Sequence, residues 1–202
     1  MPLKSRRKLE KELMRQTILD VAKDIAAMDG WQNVTIRKIC TRINYTAPVI
    51  YQYFESKEEL LHALRLEGII YMNNTIKRIN EKEENPAKKL VGFGLAFWRF
   101  AEEHPESYQV MFNLQGVVCG EENKPDPLSE ITEIYKISFR QLNGGSQIPP
   151  KKLIWWIDYY IALIHGFIAL NMVNKIKSGK DQGYQLLKES LQHFLESIKN
   201  NK

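Results

Sequence analysis

The sequence predicts an all-α protein of nine helices. Apolar residues recur at the spacing i, i+3, i+4, i+7 along almost all of the 202 residues, and no segment alternates apolar and polar residues as a half-buried strand does. Gly, Pro and Asn, which favour helix ends and turns, separate the periodic segments. A hydrophobic fraction of 44% with 26% charged residues excludes wholesale disorder, so the helices are expected to bury a core of ordinary size.

The first two helices are delimited by residues that favour helix ends. Helix 1 is expected over about residues 9–28, with Gly30 just past its end in the position that a left-handed residue occupies. Helix 2 follows Thr35, whose hydroxyl can cap it, and its isoleucines lie on one face up to Ile43. Asn44 then supplies a tight turn, because Asn tolerates the left-handed conformation better than other non-glycine residues.

Helices 3 and 4 complete a helix-turn-helix pattern. Helix 3 is expected over residues 47–53 with Thr46 as its cap, and helix 4 opens with a capping box of Ser56 and Glu59 and continues to about residue 79. Two short helices joined by a tight turn, between two longer ones, are typical of a unit that places its second helix in the major groove of DNA.

The rest of the chain continues in helices. They are expected over residues 86–103, 105–113, 127–142, 149–176 and 181–199. Helix 5 contains Gly92 and Gly94, each of which costs about 1 kcal/mol relative to Ala, so either close helix packing or room for a ligand should offset the cost. The domains are predicted as an N-terminal domain over 1–56 with the helix-turn-helix at about 34–53, a connecting helix over 57–80 and a second domain over 81–202.

Positive charge is concentrated at the N-terminal end. The formal net charge is +5, and residues 1–65 hold 12 Lys+Arg against 8 Asp+Glu, a balance of +4. A basic end on an otherwise balanced chain favours contact with a polyanion such as DNA, and a solvated basic tail is the alternative. Lys57 is notable because a cation in the first turn of a helix opposes the helix dipole unless an anion such as phosphate lies there.

The titratable residues do not indicate catalysis or metal binding. Cys40 and Cys119 have no Cys or His at metal-ligand spacing, and two cysteines cannot form a secreted disulfide scaffold. The histidines show no HExxH spacing, and neither a phosphate-binding glycine loop nor a nucleophile elbow is present. We expect no cofactor, no catalytic residues and a cytoplasmic protein. A redox switch at Cys119 is an alternative to a plain surface thiol.

One segment is long and apolar enough to cross a membrane. Leu153–Val173 spans 21 residues with a single formal charge, Asp158. A membrane-anchored interaction protein is therefore an alternative. The polar residues of this segment favour a helix that is surrounded by other helices in a soluble protein.

The sequence around the predicted turn resembles the DNA-binding signature of the TetR-type transcriptional repressors. The resemblance rests on Val34–Ile39 and on Tyr45–Leu60, which ends Tyr-Gln-Tyr-Phe-Glu-Ser-Lys-Glu-Glu-Leu. It implies that phosphates are met by Thr35, Thr46, Tyr51 and Lys57, and that the residues at or near the major groove are Ala47, Pro48, Val49, Gln52 and Tyr53. A base-edge contact by Gln52 and thymine-methyl contacts by the small apolar side chains fit this role.

A second, shorter resemblance covers the C-terminal half. Trp98–Tyr108 and the residues Trp156, His165 and Gly166 are similar to the WHG-type subgroup of TetR C-terminal domains. It implies a homodimer formed by the last two helices, with the interface residues Ala162, Gly166, Ala169, Leu187, Leu191, Phe194 and Leu195. It also implies a pocket for an apolar or planar small-molecule effector, lined by Phe97, Trp98, Phe112, Trp156, Tyr160 and His165, although plain core packing is an alternative for these residues. The expected protein is a ligand-responsive repressor on a palindromic operator, or else a membrane-anchored helical protein or a small helical enzyme.

Overall fold

The computed structural model describes residues 3–114, 128–145, 147–179 and 182–200. In these ranges the chain forms nine α-helices and no strand, which confirms the predicted fold class. The helices are α1 (Leu3–Asp29), α2 (Ile36–Ile43), α3 (Ala47–Ile50), α4 (Lys57–Lys82), α5 (Pro86–Glu103), α6 (Pro105–Met111), α7 (Ser129–Leu142), α8 (Pro150–Met172) and α9 (Gly183–Asn200), with a 3-10 turn at Trp31–Asn33. Cys119 and most of the predicted loop around it lie outside the described residues.

The first helix is longer than predicted. α1 begins at Leu3 rather than near residue 9, and an ion pair of 2.9 Å between Arg6 and Glu10 supports its early turns. Such i, i+4 pairs stabilise a helix by about 0.2–0.5 kcal/mol each. Leu13, which the sequence predicts to lie on the buried face, is 60% exposed, because at 3.6 residues per turn it falls on the side of α1 opposite the buried Ile18 and Ala22. The prediction for Leu13 is therefore wrong.

Two helices are shorter than predicted. α3 ends at Ile50 because the backbone tightens there, with the Tyr53 N–H donating to the Ile50 carbonyl at 2.9 Å. α8 ends at Met172 rather than near residue 176, because Asn174 adopts the left-handed conformation with φ of 53°. In both cases the apolar pattern continues past the end of the helix, so the pattern does not show where the helix ends and the backbone conformation does.

The described helices form two compact units. Among the described residues, the N-terminal unit comprises 3–68 and 104–114, and the C-terminal unit comprises 69–103, 128–145, 147–179 and 182–200. α4 contributes its first half to one unit and its second half to the other. The N-terminal unit also includes α6, which packs against α1. This assignment places a segment of the predicted second domain beside the helix-turn-helix.

The core of the N-terminal unit joins every helix of that unit. Its buried residues are Ile18, Leu19, Ala22, Ile25, Ala26, Trp31, Val34, Ile39, Cys40, Ile50, Phe54, Leu60, Leu61, Ala63, Leu64 and Val110. The isoleucines of α2 and Phe54 share this core with residues of α1 and α4, so they hold the short helices to their longer neighbours. Val110 on α6 is the member that the sequence did not indicate, since its contacts are remote along the chain.

The glycines of α5 allow close helix packing in the C-terminal unit. A Cβ added at Gly94 would lie 2.5 Å from Leu191 Cδ1 on α9 and 3.3 Å from Ile164 on α8. A Cβ added at Gly92 would lie 3.2 Å from Ile79 Cγ2 on α4. Close packing, one of the two explanations that the sequence allowed, therefore accounts for both glycines.

α8 is apolar on two opposite faces. The face toward the core of its unit carries Leu153, Trp156, Ile157, Tyr160, Ile164 and Ile168. The opposite face is exposed and carries Trp155, Tyr159, Ala162, Gly166, Ala169 and Leu170, and the exposed Val173 directly follows the helix. In the described part of the chain, α8 is the one helix long and apolar enough to cross a membrane by length and composition, and 33% of its most apolar window is buried.

Candidate nucleic-acid interface

α2 is anchored on its apolar side and capped as predicted. The Thr35 hydroxyl accepts a hydrogen bond from the Lys38 N–H at 3.2 Å. Ile39 is buried, and Ile36 and Ile43 pack partly against the core of the N-terminal unit. The polar face of α2 is consequently held outward.

Residues at the end of α1 contact two of the three cations on that polar face. Lys38 Nζ lies 2.9 Å from Asp29 Oδ2, and the Arg42 guanidinium donates to Met28 Sδ at 3.2 Å. The hydrogen bond and positive charge of Lys38 lower the pKa of the Asp29 carboxyl. Arg37 is exposed and makes no ion pair among the described residues, so it is the cation of this face most available to an outside anion.

The turn between α2 and α3 has the predicted backbone conformation, whereas the start of α3 lacks the predicted side-chain cap. Asn44 adopts the left-handed conformation, with φ of 56° and ψ of 41°, and so confirms the predicted turn. Thr46 occupies the cap position of α3, but its hydroxyl makes no capping hydrogen bond. The predicted side-chain cap is therefore wrong, and Pro48, whose ring pre-sets a helical φ in the first turn, supports the start of α3 instead.

α3 and the turn after it present the residues predicted to meet DNA. Ile50 and Phe54 are fully buried and fix this segment to the core. The exposed members of the predicted set are Thr35, Thr46, Pro48, Tyr51 and Gln52, and the half-buried ones are Ala47, Val49, Tyr53 and Lys57. Tyr51 is 51% exposed, so its ring and hydroxyl are accessible to an outside partner. The part of the set on α3 and the following turn forms one outward-facing surface, which we call the α3 surface.

The start of α4 is capped by a variant of the predicted box. The Ser56 hydroxyl accepts from the Glu59 N–H at 3.1 Å, as predicted. The Glu59 carboxylate accepts from the Glu55 N–H at 2.5 Å, one residue before the position that a standard box uses. The pKa of the Glu58 carboxyl is lowered by hydrogen bonds from its own backbone N–H and from the Ser56 hydroxyl.

Lys57 has a protein partner that the sequence did not indicate. Its ammonium donates to the Trp31 carbonyl at 3.3 Å and thereby joins the start of α4 to the turn after α1. Two of its three N–H donors remain for another acceptor. A phosphate contact by Lys57 stays a prediction, and this hydrogen bond would hold the ammonium in place for it.

The helix-turn-helix of this chain matches a known family. Residues 18–64 match the model of the bacterial regulatory proteins of the tetR family, a segment that starts in α1 and ends in α4. An uncharacterized HTH-type transcriptional regulator of Mycobacterium tuberculosis is 27% identical over 167 residues, which cover 80% of this chain and 71% of that protein. The helix-turn-helix of this chain is that of the tetR family of bacterial regulatory proteins. The chain is similar to an HTH-type transcriptional regulator over most of its length.

Solved structures share the whole fold of this chain. A TetR family transcription regulator from Marinobacter aquaeolei is similar with a TM-score of 0.68 and 15% identity over 94% of this chain and 97% of that one. The ketosteroid transcriptional regulator of Mycobacterium tuberculosis has a TM-score of 0.66 and 17% identity, with 91% of this chain and 94% of that one covered. A TetR variant from Acinetobacter baumannii in complex with minocycline has a TM-score of 0.64, 16% identity and coverage of 91% and 94%. Identities this low show the fold alone.

The residues predicted to line an effector pocket lie in two places. Phe112 packs on Tyr108 within the N-terminal unit, with ring centroids 4.9 Å apart. The other five lie in the C-terminal unit: Phe97, Trp98, Trp156, Tyr160 and His165. Four of these five are at most 5% exposed, and they contact other side chains of the core. A pocket walled by this set stays a prediction for this chain.

The C-terminal unit has open grooves, one of which is lined by a residue of the predicted pocket. Trp156 lines a groove of about 430 Å³ between α8 and α9, together with Tyr159 and Phe194. A larger groove of about 540 Å³ lies between the second half of α4 and α5 and has a floor of stacked Tyr71 and Phe100 rings. These grooves have the size of small-molecule sites.

The residues predicted at a dimer interface divide between surface and core. Ala162, Gly166 and Ala169 lie on the exposed face of α8. The predicted residues on α9, in contrast, are buried within the same protomer: Leu187, Leu191, Phe194 and Leu195. The first two and Leu195 are at most 1% exposed, so they have almost no surface to offer a partner. The exposed face of α8 is therefore the part of the predicted interface that the fold makes available.

Burial of His165 gives a testable pH dependence. Desolvation lowers the pKa of His165 from 6.5 to about 4. The unfolded chain therefore binds more protons than the native one between these values, and stability is expected to fall as the pH decreases from 6.5 to 4. His165→Gln should flatten this part of the profile of unfolding free energy, measured by urea denaturation from pH 4 to 7. An unchanged profile would show that other groups cause the dependence.

Proposed function

We propose that this protein is a ligand-responsive repressor of the TetR family that binds a palindromic operator as a homodimer. The observation that carries the DNA-binding role is the α3 surface, where Pro48, Tyr51 and Gln52 are exposed next to the buried anchors Ile50 and Phe54. A rigid, exposed segment with an amide, a hydroxyl and small apolar groups fits the major groove.

The proposed DNA contacts are of two kinds, those that position the protein on the phosphate backbone and those that recognise bases. Thr35, Thr46, Tyr51 and Lys57 contact phosphates and fix the register of the protein on the duplex. Base edges are met by Ala47, Pro48, Val49, Gln52 and Tyr53. Gln52 is the residue most able to specify a base, because an amide pairs in a bidentate way with adenine.

The homodimer is proposed to form through the exposed face of α8. Two such faces, related by a two-fold axis, would cover the aromatic and small apolar side chains that a single chain leaves in water. The two α3 surfaces would then enter successive major grooves about 34–36 Å apart, which requires a palindromic site.

The effector is proposed to be an apolar or aromatic small molecule bound in the C-terminal unit. The Trp98 indole N–H is buried and has no hydrogen-bond partner among the described residues, so it can donate to one polar atom of such a ligand. The proposed walls within this unit are Phe97, Trp98, Trp156, Tyr160 and His165, whereas the predicted wall residue Phe112 lies in the N-terminal unit. α4, which continues through both units, is the element proposed to tilt on binding. Moving the equilibrium between the two conformations from 1:99 to 99:1 requires that the effector bind one of them more tightly by about 5.5 kcal/mol.

The proposal describes a cytoplasmic protein without enzymatic activity. No group of three or more His, Cys, Asp or Glu side chains that could hold a metal ion occurs in the described parts of the chain. A membrane anchor through α8 is the competing hypothesis, favoured only by the length and apolar composition of that helix. Protein recovered in the supernatant after ultracentrifugation without detergent would exclude the anchor.

Selection from a random duplex library tests the DNA-binding role. The full chain should enrich an inverted repeat whose half-sites are centred one helical turn apart, about 10–10.5 base pairs. Gln52→Ala should lose about 1–3 kcal/mol of preference at one position of each half-site and leave the other positions unchanged.

Gln141→Ala is the matched control, because Gln141 is exposed on α7 in the C-terminal unit. It should retain the full sequence preference. Enrichment of no sequence at all would refute the operator hypothesis, and equal losses in both variants would refute the role of Gln52.

A further inference from the structure

The first half of α1 carries a line of cations that the helix-turn-helix does not use. Arg7, Lys11 and Arg15 follow one another at intervals of four residues, and each is exposed. At 3.6 residues per turn they fall within an arc of about 80°. The same arc carries Ile18 and Ala22, which are buried in the core of the N-terminal unit. One face of α1 thus covers the core along its second half and presents cations beyond the edge of that core along its first half. We call Arg7, Lys11 and Arg15 the α1 cationic face.

The acidic residues of this segment do not neutralise the α1 cationic face. The described ion pairs here join Arg6 to Glu10 at 2.9 Å and Lys8 to Glu12 at 3.9 Å. Arg7 makes no ion pair among the described residues, and neither does Lys11. The paired residues lie beside the face, so its positive charge remains directed at solvent.

Helix electrostatics make this arrangement unfavourable without an outside anion. The first turn of α1 contains no acidic residue. The N-terminal end of a helix carries about half a positive charge from its dipole, and cations near it repel that charge. A row of phosphates beside the helix would be attracted both to the cations and to the positive end of the helix dipole.

One end of the α1 cationic face contacts the residue that directly follows the α3 surface. The Arg15 guanidinium lies 4.7 Å from the centroid of the Phe54 ring. Phe54 directly follows the segment that contains Tyr51 and Gln52, and its ring is fully buried. The contact therefore fixes one end of the line of cations beside the residues proposed to enter the major groove.

We infer that the α1 cationic face binds the DNA phosphate backbone beside the half-site contacted by α3. This inference rests on the proposed DNA-binding function and extends its footprint. Arg7 and Arg15 are separated by about 12 Å along the helix axis. Such a line can meet consecutive phosphates of one strand, whose charges repeat about every 3.4 Å along the duplex. The contacts add affinity and leave sequence preference unchanged, because phosphates carry no direct sequence information.

The salt dependence of binding to a mixed-sequence duplex of 30 base pairs tests the inference. Each lost phosphate contact lowers the slope of log K against log salt by about 0.9, so Arg7→Gln/Lys11→Gln should lower it by about 1.8. With an unchanged intercept at 1 M salt, this corresponds to roughly 60-fold weaker binding at 0.1 M. Arg15 is left in place because it packs on Phe54. Thermal unfolding of the double variant should match the parent protein, since both replaced side chains are exposed.

Lys175→Gln/Lys177→Gln is the matched control, with the same loss of two charges at exposed positions of the C-terminal unit. It should leave the slope unchanged. If the parent protein binds the duplex and both double variants reduce the slope equally, or neither reduces it, the inference is overturned while the proposed function stands. If the parent protein fails to bind any duplex, the proposed function fails first and the inference with it.

A second arm distinguishes DNA from an anionic membrane. The face of α1 opposite the cations exposes Leu9 and Leu13, at 46% and 60%, so this helix also has the pattern of an amphipathic membrane-surface helix. Vesicles of phosphatidylcholine with phosphatidylglycerol are expected not to bind the parent protein. Binding to these vesicles that Arg7→Gln/Lys11→Gln abolishes, together with an unchanged duplex slope, would assign the cations to a membrane and overturn the inference.

Discussion

Replacing Gly166 with arginine is expected to separate the proposed dimer into monomers. Gly166 lies in the middle of the exposed face of α8, and a Cβ added there meets no atom within 4 Å in the protomer. The folded protomer should therefore accept the larger side chain. Replacement of a helix-interior glycine also removes a backbone penalty of up to about 1 kcal/mol.

The effect on association is large because a two-fold symmetric interface contains the substituted residue twice. Each copy would place an unpaired guanidinium in an apolar interface, which costs several kcal/mol per ion, so the two copies together should weaken association by at least about 1,000-fold. The loss of DNA affinity should follow, since two linked α3 surfaces bind a palindrome far more tightly than one does.

Sedimentation velocity over a concentration series measures this dissociation. Gln141→Arg is the control, because it adds the same charge at an exposed position of α7 in the same unit. It should leave the dimer intact. A dimer that persists in Gly166→Arg at micromolar concentration would show that α8 does not form the interface, and a parent protein that is itself monomeric would refute the proposed homodimer.

Replacing Phe54 with alanine is expected to destabilise the N-terminal unit by about 3–5 kcal/mol, because loss of a large buried aromatic leaves a cavity that the core cannot fill. Phe54 is 0% exposed, and it packs in the same core as Ile39 and Ile50, which hold the two short helices in place. The Arg15 guanidinium over its ring would also lose its partner.

Hydrogen exchange of the amides in α2 and α3 measures this destabilisation locally. The amides should exchange faster by about two to four orders of magnitude in Phe54→Ala, as the free-energy change requires. Tyr51→Ala is the matched control, since it removes an aromatic ring three residues away that is 51% exposed. It should change stability by no more than about 0.5 kcal/mol, while DNA binding weakens. Unchanged protection in Phe54→Ala would contradict the anchoring role of this side chain.

The predictions from sequence succeeded where the cause is local. Thr35 caps α2, Asn44 makes the left-handed turn and the Ser56 hydroxyl caps α4, because each of these contacts joins residues within four positions. The helical class followed from a periodicity that repeats along the chain, and the TetR resemblance rested on a contiguous segment that the family model also matches.

The predictions that differed from the structure depend on contacts remote along the chain. The amphipathic pattern of α9 shows that Leu187 and Leu191 face something apolar, but it does not distinguish the core of the same protomer from a second copy. The hydrogen bond from the Lys57 ammonium to the Trp31 carbonyl, which the sequence did not indicate, spans 26 positions, while the phosphate contact of Lys57 stays a prediction. α6 joins the N-terminal unit through Val110, which sequence spacing alone does not indicate.

Positive charge shows the same difference between what is local in the sequence and what depends on contacts remote along the chain. Composition and periodicity are enough to predict a basic N-terminal end, an all-helical chain and a helix-turn-helix near residues 34–53. The pairing of each cation with a carboxylate could not be predicted, because it depends on distances that folding creates. The tertiary structure placed Lys38 on Asp29 and left Arg7 and Lys11 exposed on the face of α1 that, further along, covers the core. Net charge follows from composition, whereas a binding surface requires that the free charges share one face.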